Sequence, residues 1–184
     1  MNLNVHNLLV GYDGTAVLPP FSFDFTPAAG WALMGASGAG KTTLLHTLAG
    51  LLPPLSGDIG GFKDAKCALL FQEDRLLGHL SALDNVALVS SPETAAQLLG
   101  ELGLGDKLGE KPGALSGGQR RRIALARCLA FGGDVLLLDE PFTGLDAGTR
   151  LTACRVIKER FSRVILSTHD PEEAELLGAG KINL

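Results

Sequence analysis

The residues best equipped for chemistry begin with Gly35, Ala36, Ser37, Gly38, Ala39, Gly40, Lys41 and Thr42, which fit the spacing GxxxxGK[ST]. Glycines at this spacing let the backbone turn sharply, so several N–H groups face one set of phosphate oxygens. A helix starting at the lysine adds the positive end of its dipole. Lys41 has the reach for β- and γ-phosphates, and the Thr42 hydroxyl suits Mg²⁺. A chance match in a chain this long is on the order of 1%. The pattern therefore reads as a nucleotide site.

Three further groups belong to the same chemistry. Val135-Leu136-Leu137-Leu138-Asp139-Glu140 puts two carboxylates at the end of an apolar strand, where ligands bind in open α/β sheets. Asp139 suits Mg²⁺ or its bound water, and Glu140 suits polarising an attacking water. His169, in Ser167-Thr168-His169-Asp170, ends the next expected strand and can bond a γ-phosphate or orient the water. Its position alone favours a structural histidine. Leu115-Ser116-Gly117-Gly118-Gln119 opens a helix with a hydroxyl, free amides and a dipole, the makings of a second anion site. An ordinary serine N-cap explains the same residues, and physics leaves the two readings even.

The elements that must position these groups follow from hydrophobic periodicity. Strands are predicted at 3–10 and 17–25, the second with Phe21, Phe23 and Phe25 on one face and irregular at Pro19-Pro20. The turn between them is predicted at 11–15. Further strands fall at 31–34, 67–71, 135–138 and 163–167, and helices at 41–49, 117–131, 147–161 and 171–177. Residues 76–109 turn mainly helical, with a helix start at Pro92-Glu93. The fold class is α/β, a mostly parallel sheet with an N-terminal antiparallel β region and a helical subdomain inserted at about 76–131. The whole of 1–184 is expected to be one domain.

Composition narrows the class. Hydrophobic residues make up 46% of the chain and mean hydropathy is +0.23. The best apolar stretch, 123–138, is broken by Arg127, Gly132, Gly133 and Asp134, so a membrane span is excluded and a doubly covered parallel sheet explains the excess. Met1-Asn2-Leu3-Asn4 lacks the start of a signal peptide. Cys67, Cys128 and Cys154 show no metal-ligand spacing and are expected as buried thiols of a reducing cytosol. A net charge of −4 argues against a nucleic-acid surface covering the whole domain and leaves room for a local basic patch. Arg120-Arg121-Arg122 is expected to be a solvated basic face.

Taken together, these motifs resemble the ATP-binding cassette (ABC) family, whose signature matches Leu115 to Gln119 and whose motif order matches this chain over nearly its whole length. The resemblance implies an ATPase subunit with a P-loop NTPase core, using ATP and Mg²⁺. By it, Gly35 to Lys41, Thr42 and Thr43 resemble the Walker A loop, Asp139 the Walker B aspartate and Glu140 the catalytic base. Gln72 looks like the Q-loop glutamine that meets Mg²⁺, Asp146 the D-loop aspartate and His169 the switch histidine. Tyr12 is similarly placed to the aromatic that stacks on adenine. The family pairs two copies head to tail, so that Ser116, Gly117, Gly118 and Gln119 of one close over the P-loop of the other, an isologous arrangement.

Residues 71–77 followed by 83–87 resemble bacterial importers of nitrate-, sulfonate-, taurine- or thiamine-like nutrients. This implies a cytoplasmic subunit, peripheral on the membrane, docked on a separate permease with a solute-binding protein in the same system. The alternative is a cassette acting on nucleic acid or ribosomes. A noncatalytic binding module is disfavoured by Glu140 and His169. Departures from the family are the short stretch at 57–67, a short helical region, Thr143-Gly144 in the D-loop, and a short end after His169. That end is expected to leave no room for a regulatory domain and to weaken the last strands.

Overall fold

Short apolar runs become strands in the computed structural model of the chain, which describes residues 2–26 and 28–184. Met1, the first of the residues read for a leader, lies outside them. Contacts divide the chain into two compact units, Met1–Leu69 with Gly133–Asp139 and Ser162–Leu184, and Leu70–Gly132 with Glu140–Phe161.

In the first unit, β1 (Asn4–Leu9) leads through a hairpin of β2 (Gly11–Tyr12) and β3 (Thr15–Ala16) to β4 (Phe21–Asp24). The turn expected at 11–15 shrinks to Asp13 and Gly14, whose φ values of 48° and 78° suit a type I′ hairpin. The strand expected at 17–25 is broken, because Pro19 and Pro20 bring no amide to a ladder, and only its second half pairs with β1. On the other side of β1 lies β6 (Ser56–Gly60), also antiparallel. Phe21, Phe23 and Phe25 share a face as expected. Phe23 stacks on Phe21 at 5.9 Å and meets Trp31 edge-on at 4.7 Å, and Phe25 meets Phe62 at 5.6 Å.

The second sheet has the order β10-β5-β9-β8-β7, built from β5 (Gly30–Met34), β7 (Cys67–Leu70), β8 (Val135–Asp139), β9 (Val164–Thr168) and β10 (Gly180–Asn183). Every residue of β8 and β9 is buried, the signature of parallel strands covered on both faces. Helix α1 (Lys41–Leu48) packs on β8 and β9, and α6 (Pro171–Leu177) on β5 and β9. At the end of the chain β10 pairs with β5 over four residues and buries Ile182.

The second unit holds α2 (Ala82–Ala87), α3 (Pro92–Glu101), α4 (Gly117–Phe131) and α5 (Ala147–Arg160), with α2, α3 and α4 packed on one another and α5 on α4. Ser81, Ser91, Ser116 and Asp146 each cap the following helix through a side-chain oxygen. The unit includes the helical stretch expected at 76–131 and adds α5. All three cysteines are free; Cys128 and Cys154 are buried, whereas Cys67 is half-buried. Burial pushes the Cys128 thiol up to about 12, and burial followed by the Asp134 charge takes Cys67 to about 11. Both are therefore neutral thiols at ordinary pH. Among the described residues no helix is long and apolar enough to cross a membrane.

Candidate functional site

The register of the parallel sheet brings the first group of candidates to one edge. Leu33 of β5 pairs with Ser167 of β9, and Ser167 pairs with Asp139 of β8, so all three strands end level. The P-loop leaves β5 two residues past that line and His169 follows β9 two residues past it. This is the carboxyl edge at which open α/β sheets bind ligands.

Gly40 turns the loop into α1 with φ of 86°, a left-handed conformation that suits glycine. A Cβ there would also meet Leu18 Cγ at 2.7 Å. The first bond of the ladder is Leu44 N–H to Gly40 O, which leaves the amides of Lys41, Thr42 and Thr43 without intrahelical acceptors. They form the amide end of an anion site. Lys41 is buried, and its ammonium donates to Gly35 O at 2.7 Å and Ala36 O at 2.8 Å, so its charge lies over the loop. Ala36, Ser37 and Gly38 are exposed at the tip, while Gly35, Ala39 and Thr42 are half-buried and Thr43 is buried.

Asp139 is 1% exposed and accepts a hydrogen bond from Ser167 Oγ at 2.5 Å. Its carboxylate and the Thr42 hydroxyl are hard oxygen donors, as Mg²⁺ requires. Among the described residues no cluster of three His, Cys, Asp or Glu could hold a metal by itself. His169 is exposed, beside Thr168, whose hydroxyl donates to Glu173 and accepts from Asp170 N–H at 3.0 Å. Tyr12 is 48% exposed on the β2–β3 hairpin, open to stacking.

The remaining candidates lie in the second unit. Gln72 is exposed, in the loop after β7. Ser116 and Gln119 form a capping box: Ser116 Oγ accepts from Gln119 N–H at 3.3 Å and Gln119 Oε1 from Ser116 N–H at 2.8 Å. The N-cap reading is thus realised, with the amides of Gly117 and Gly118 still in the first turn, where no helical carbonyl can take them. A Cβ on Gly118 would meet Gly144 O at 2.8 Å, so glycine is what lets the turn 143–145 approach the helix start. Gln72, Asp74, Gly117, Arg121 and Thr143 line a cavity of about 270 Å³. Asp146 caps α5, accepting from Thr149 N–H at 2.9 Å and Thr149 Oγ1 at 2.8 Å. The Thr149 amide bond, then its hydroxyl, holds the carboxyl below the ordinary aspartate range.

Glu140 has φ of 44°, a left-handed conformation that costs a residue with a Cβ about 1–2 kcal/mol. Its carbonyl accepts from Arg121 Nη2 at 2.9 Å and from Thr143 Oγ1 at 3.2 Å. The expectation of a solvated basic face at Arg120-Arg121-Arg122 is corrected here. Successive helical residues are about 100° apart, so one of three must turn inward, and Arg121 is 3% exposed. Arg120 bonds Leu115 O, and Arg122 bonds Leu102 O at 2.9 Å.

Comparison with known proteins agrees with these features. Residues 18–143 match the family model described as ABC transporter. The chain is 42% identical over 183 residues to an aliphatic sulfonates import ATP-binding protein of Delftia acidovorans, covering 95% of this chain and 76% of that protein. It is 44% identical over 176 residues to one of Rhodococcus jostii, covering 90% and 72%. Among solved structures it is similar to an ABC transporter ATP-binding protein of Pyrococcus furiosus, with TM-score 0.86 and 27% identity over 100% of this chain and 98% of that one. The ATP-binding cassette MJ0796, solved as a dimer bound to ADP and Pi in a post-hydrolysis state, gives TM-score 0.85 and 25% identity over 99% and 94%. With the P-loop, the acidic strand end and the signature segment in the order of that family, the chain belongs to the ABC transporter family, as one of its ATP-hydrolysing cassettes.

Proposed function

We propose that the chain is the motor of a solute importer, hydrolysing MgATP between two copies of itself. The observation that carries this reading is the common edge of β5, β9 and β8, which ends in the P-loop, His169 and Asp139. In this reading the amides of the loop and of Lys41, Thr42 and Thr43 bind the phosphates. Lys41 exchanges the carbonyls of Gly35 and Ala36 for β- and γ-phosphate oxygens. Thr42 and Asp139 would hold Mg²⁺, with Gln72 the further ligand that the family resemblance implies, and the ion would supply positive charge for the phosphates. Glu140 accepts a proton from the water whose oxygen bonds to the γ-phosphorus as the bond to ADP breaks. His169 orients that water or the γ-phosphate, and Tyr12 stacks on adenine. Asp146 belongs to the turn that meets the other copy.

The amides of Gly117 and Gly118, with Ser116 and Gln119, close over the ATP of the second copy. ATP then contacts more protein in the closed dimer, and binding shifts the population toward it. The importer assignment draws on the relatives, which are named for aliphatic sulfonate import. It makes the chain a cytoplasmic subunit peripheral on the membrane, partnered by a permease and a solute-binding protein. The alternative of work on nucleic acid or ribosomes draws no support from these relatives.

The test is a pair of variants assayed for nucleotide binding and turnover. Lys41→Ala should lose MgATP binding. Glu140→Gln should bind MgATP, lose turnover at least about 100-fold and elute as a dimer with ATP. Full turnover by Glu140→Gln would remove the base from this mechanism.

A further inference from the structure

Arg121 is a charged residue buried in the second unit, 3% exposed, and has no place in the reading above. Its guanidinium gathers backbone from two separate segments. Nη1 donates to Phe71 O at 2.7 Å, Gln72 O at 3.2 Å and Asp74 Oδ1 at 3.3 Å. Nη2 donates to Glu140 O at 2.9 Å and Nε to Pro141 O at 3.2 Å. A buried cation so fully hydrogen-bonded fixes the groups it holds, because any displacement strips a charge of its partners. Arginine suits the task because its rigid planar fork serves separate acceptors at once, where a lysine offers one rotating head. The acceptor on Nη2 is the carbonyl of the residue held at φ of 44°. Such backbone persists only where the surroundings over-determine it.

We propose that Arg121 is a positioning residue for hydrolysis: it locks the left-handed backbone of Glu140, and so the aim of its carboxylate, to the loop that carries Gln72. The inference rests on Glu140 being the base. Arg127, six residues along the same helix, makes an internal comparison. It donates to Arg75 O at 2.9 Å and Asp74 O at 2.8 Å, so its hydrogen bonds anchor the loop and not residues 140–141.

The experiment measures steady-state ATPase activity and binding of a fluorescent ATP analogue for Arg121→Met, Arg121→Gln, Arg121→Lys and Arg127→Met, each also made with Glu140→Gln. The two glutamine and lysine variants guard against a failure of Arg121→Met to fold, read by circular dichroism. The expected result is a kcat loss of roughly tenfold or more in every folded Arg121 variant, with KM and analogue affinity within about twofold. Arg127→Met should lose less than about threefold, and the Arg121 changes should cost nothing further in the Glu140→Gln background. A kcat kept by a folded Arg121 variant overturns the proposal. So does a loss expressed in KM, an equal loss in Arg127→Met, or full additivity with Glu140→Gln. If Glu140→Gln itself retains turnover, the base assignment has failed; if it does not and Arg121→Gln does, only the positioning role has failed.

Discussion

Asn85 carries more of the second unit than its size suggests. It is fully buried; its Oδ1 accepts from Leu77 N–H at 2.8 Å, and its Nδ2 donates to Leu77 O at 3.1 Å and Ser81 O at 2.9 Å. The amide therefore closes the loop that runs from Gln72 to α2. Truncation strands the Leu77 amide as well as removing the bonds, so Asn85→Ala should destabilise the chain by about 2–4 kcal/mol, read as a lower urea midpoint. In the sequence Asn85 was visible only as part of the importer-like stretch 83–87, because nothing local says that an asparagine will be buried. Arg121 was misread for a related reason. Three adjacent arginines look like solvent-facing charge, and only the carbonyls of residues 71, 72, 140 and 141 explain why one turns inward. Ser116 was open between cap and anion site; its hydroxyl forms the capping box with Gln119, and the anion role belongs to the proposal.

Helices and strands were legible in proportion to how far their own residues determine them. The apolar runs of β5, β8 and β9 and the starts of α3, α4 and α5 announced themselves, though only Ser116 of α4 was read as a cap. β6 did not, because Ser56, Gly57 and Gly60 have poor strand propensity and the strand exists only as a partner for β1. β10 buries only Ile182 and is too short for alternation to show. Among the helices, α3 and α5 are joined near their ends by Arg160 and Glu101, whose N–O distance is 2.6 Å. The Arg160 hydrogen bond holds the Glu101 carboxyl below the ordinary glutamate value of 4.5. A lowered folded pKa means stability present above 4.5 and lost as pH falls through the folded value. Glu101→Gln should thus remove part of the acid-induced loss below that pH, while costing at most about 1 kcal/mol at neutrality because solvent reaches both side chains. Thermal melts of both proteins across pH 3–7, a range of roughly four units around that value, would measure it.

Over the chain as a whole, the candidate chemistry is divided between two separately packed units, with the phosphate loop and Asp139 in the first and Glu140, Gln72 and the signature segment in the second. That division was only partly readable from the sequence, which located a helical insertion near 76–131 but not the return of α5 to it. The single tryptophan and the single tyrosine both fall in the first unit, whereas phenylalanines occur in both. Trp31, the only tryptophan, sits on β5 with its indole N–H on Phe25 O at 2.9 Å, and the only tyrosine is Tyr12. Selective excitation of the indole therefore illuminates one unit and leaves the other dark, while far-ultraviolet ellipticity draws mostly on α2 to α5. Denaturation followed by both signals gives each unit its own readout without any label. MgATP at about 100 times its dissociation constant should delay the emission change by the equivalent of about 2.7 kcal/mol, and Lys41→Ala should show no delay. An unmoved emission curve in the unaltered protein would mean that nucleotide does not grip the strand on which this natural lamp is mounted.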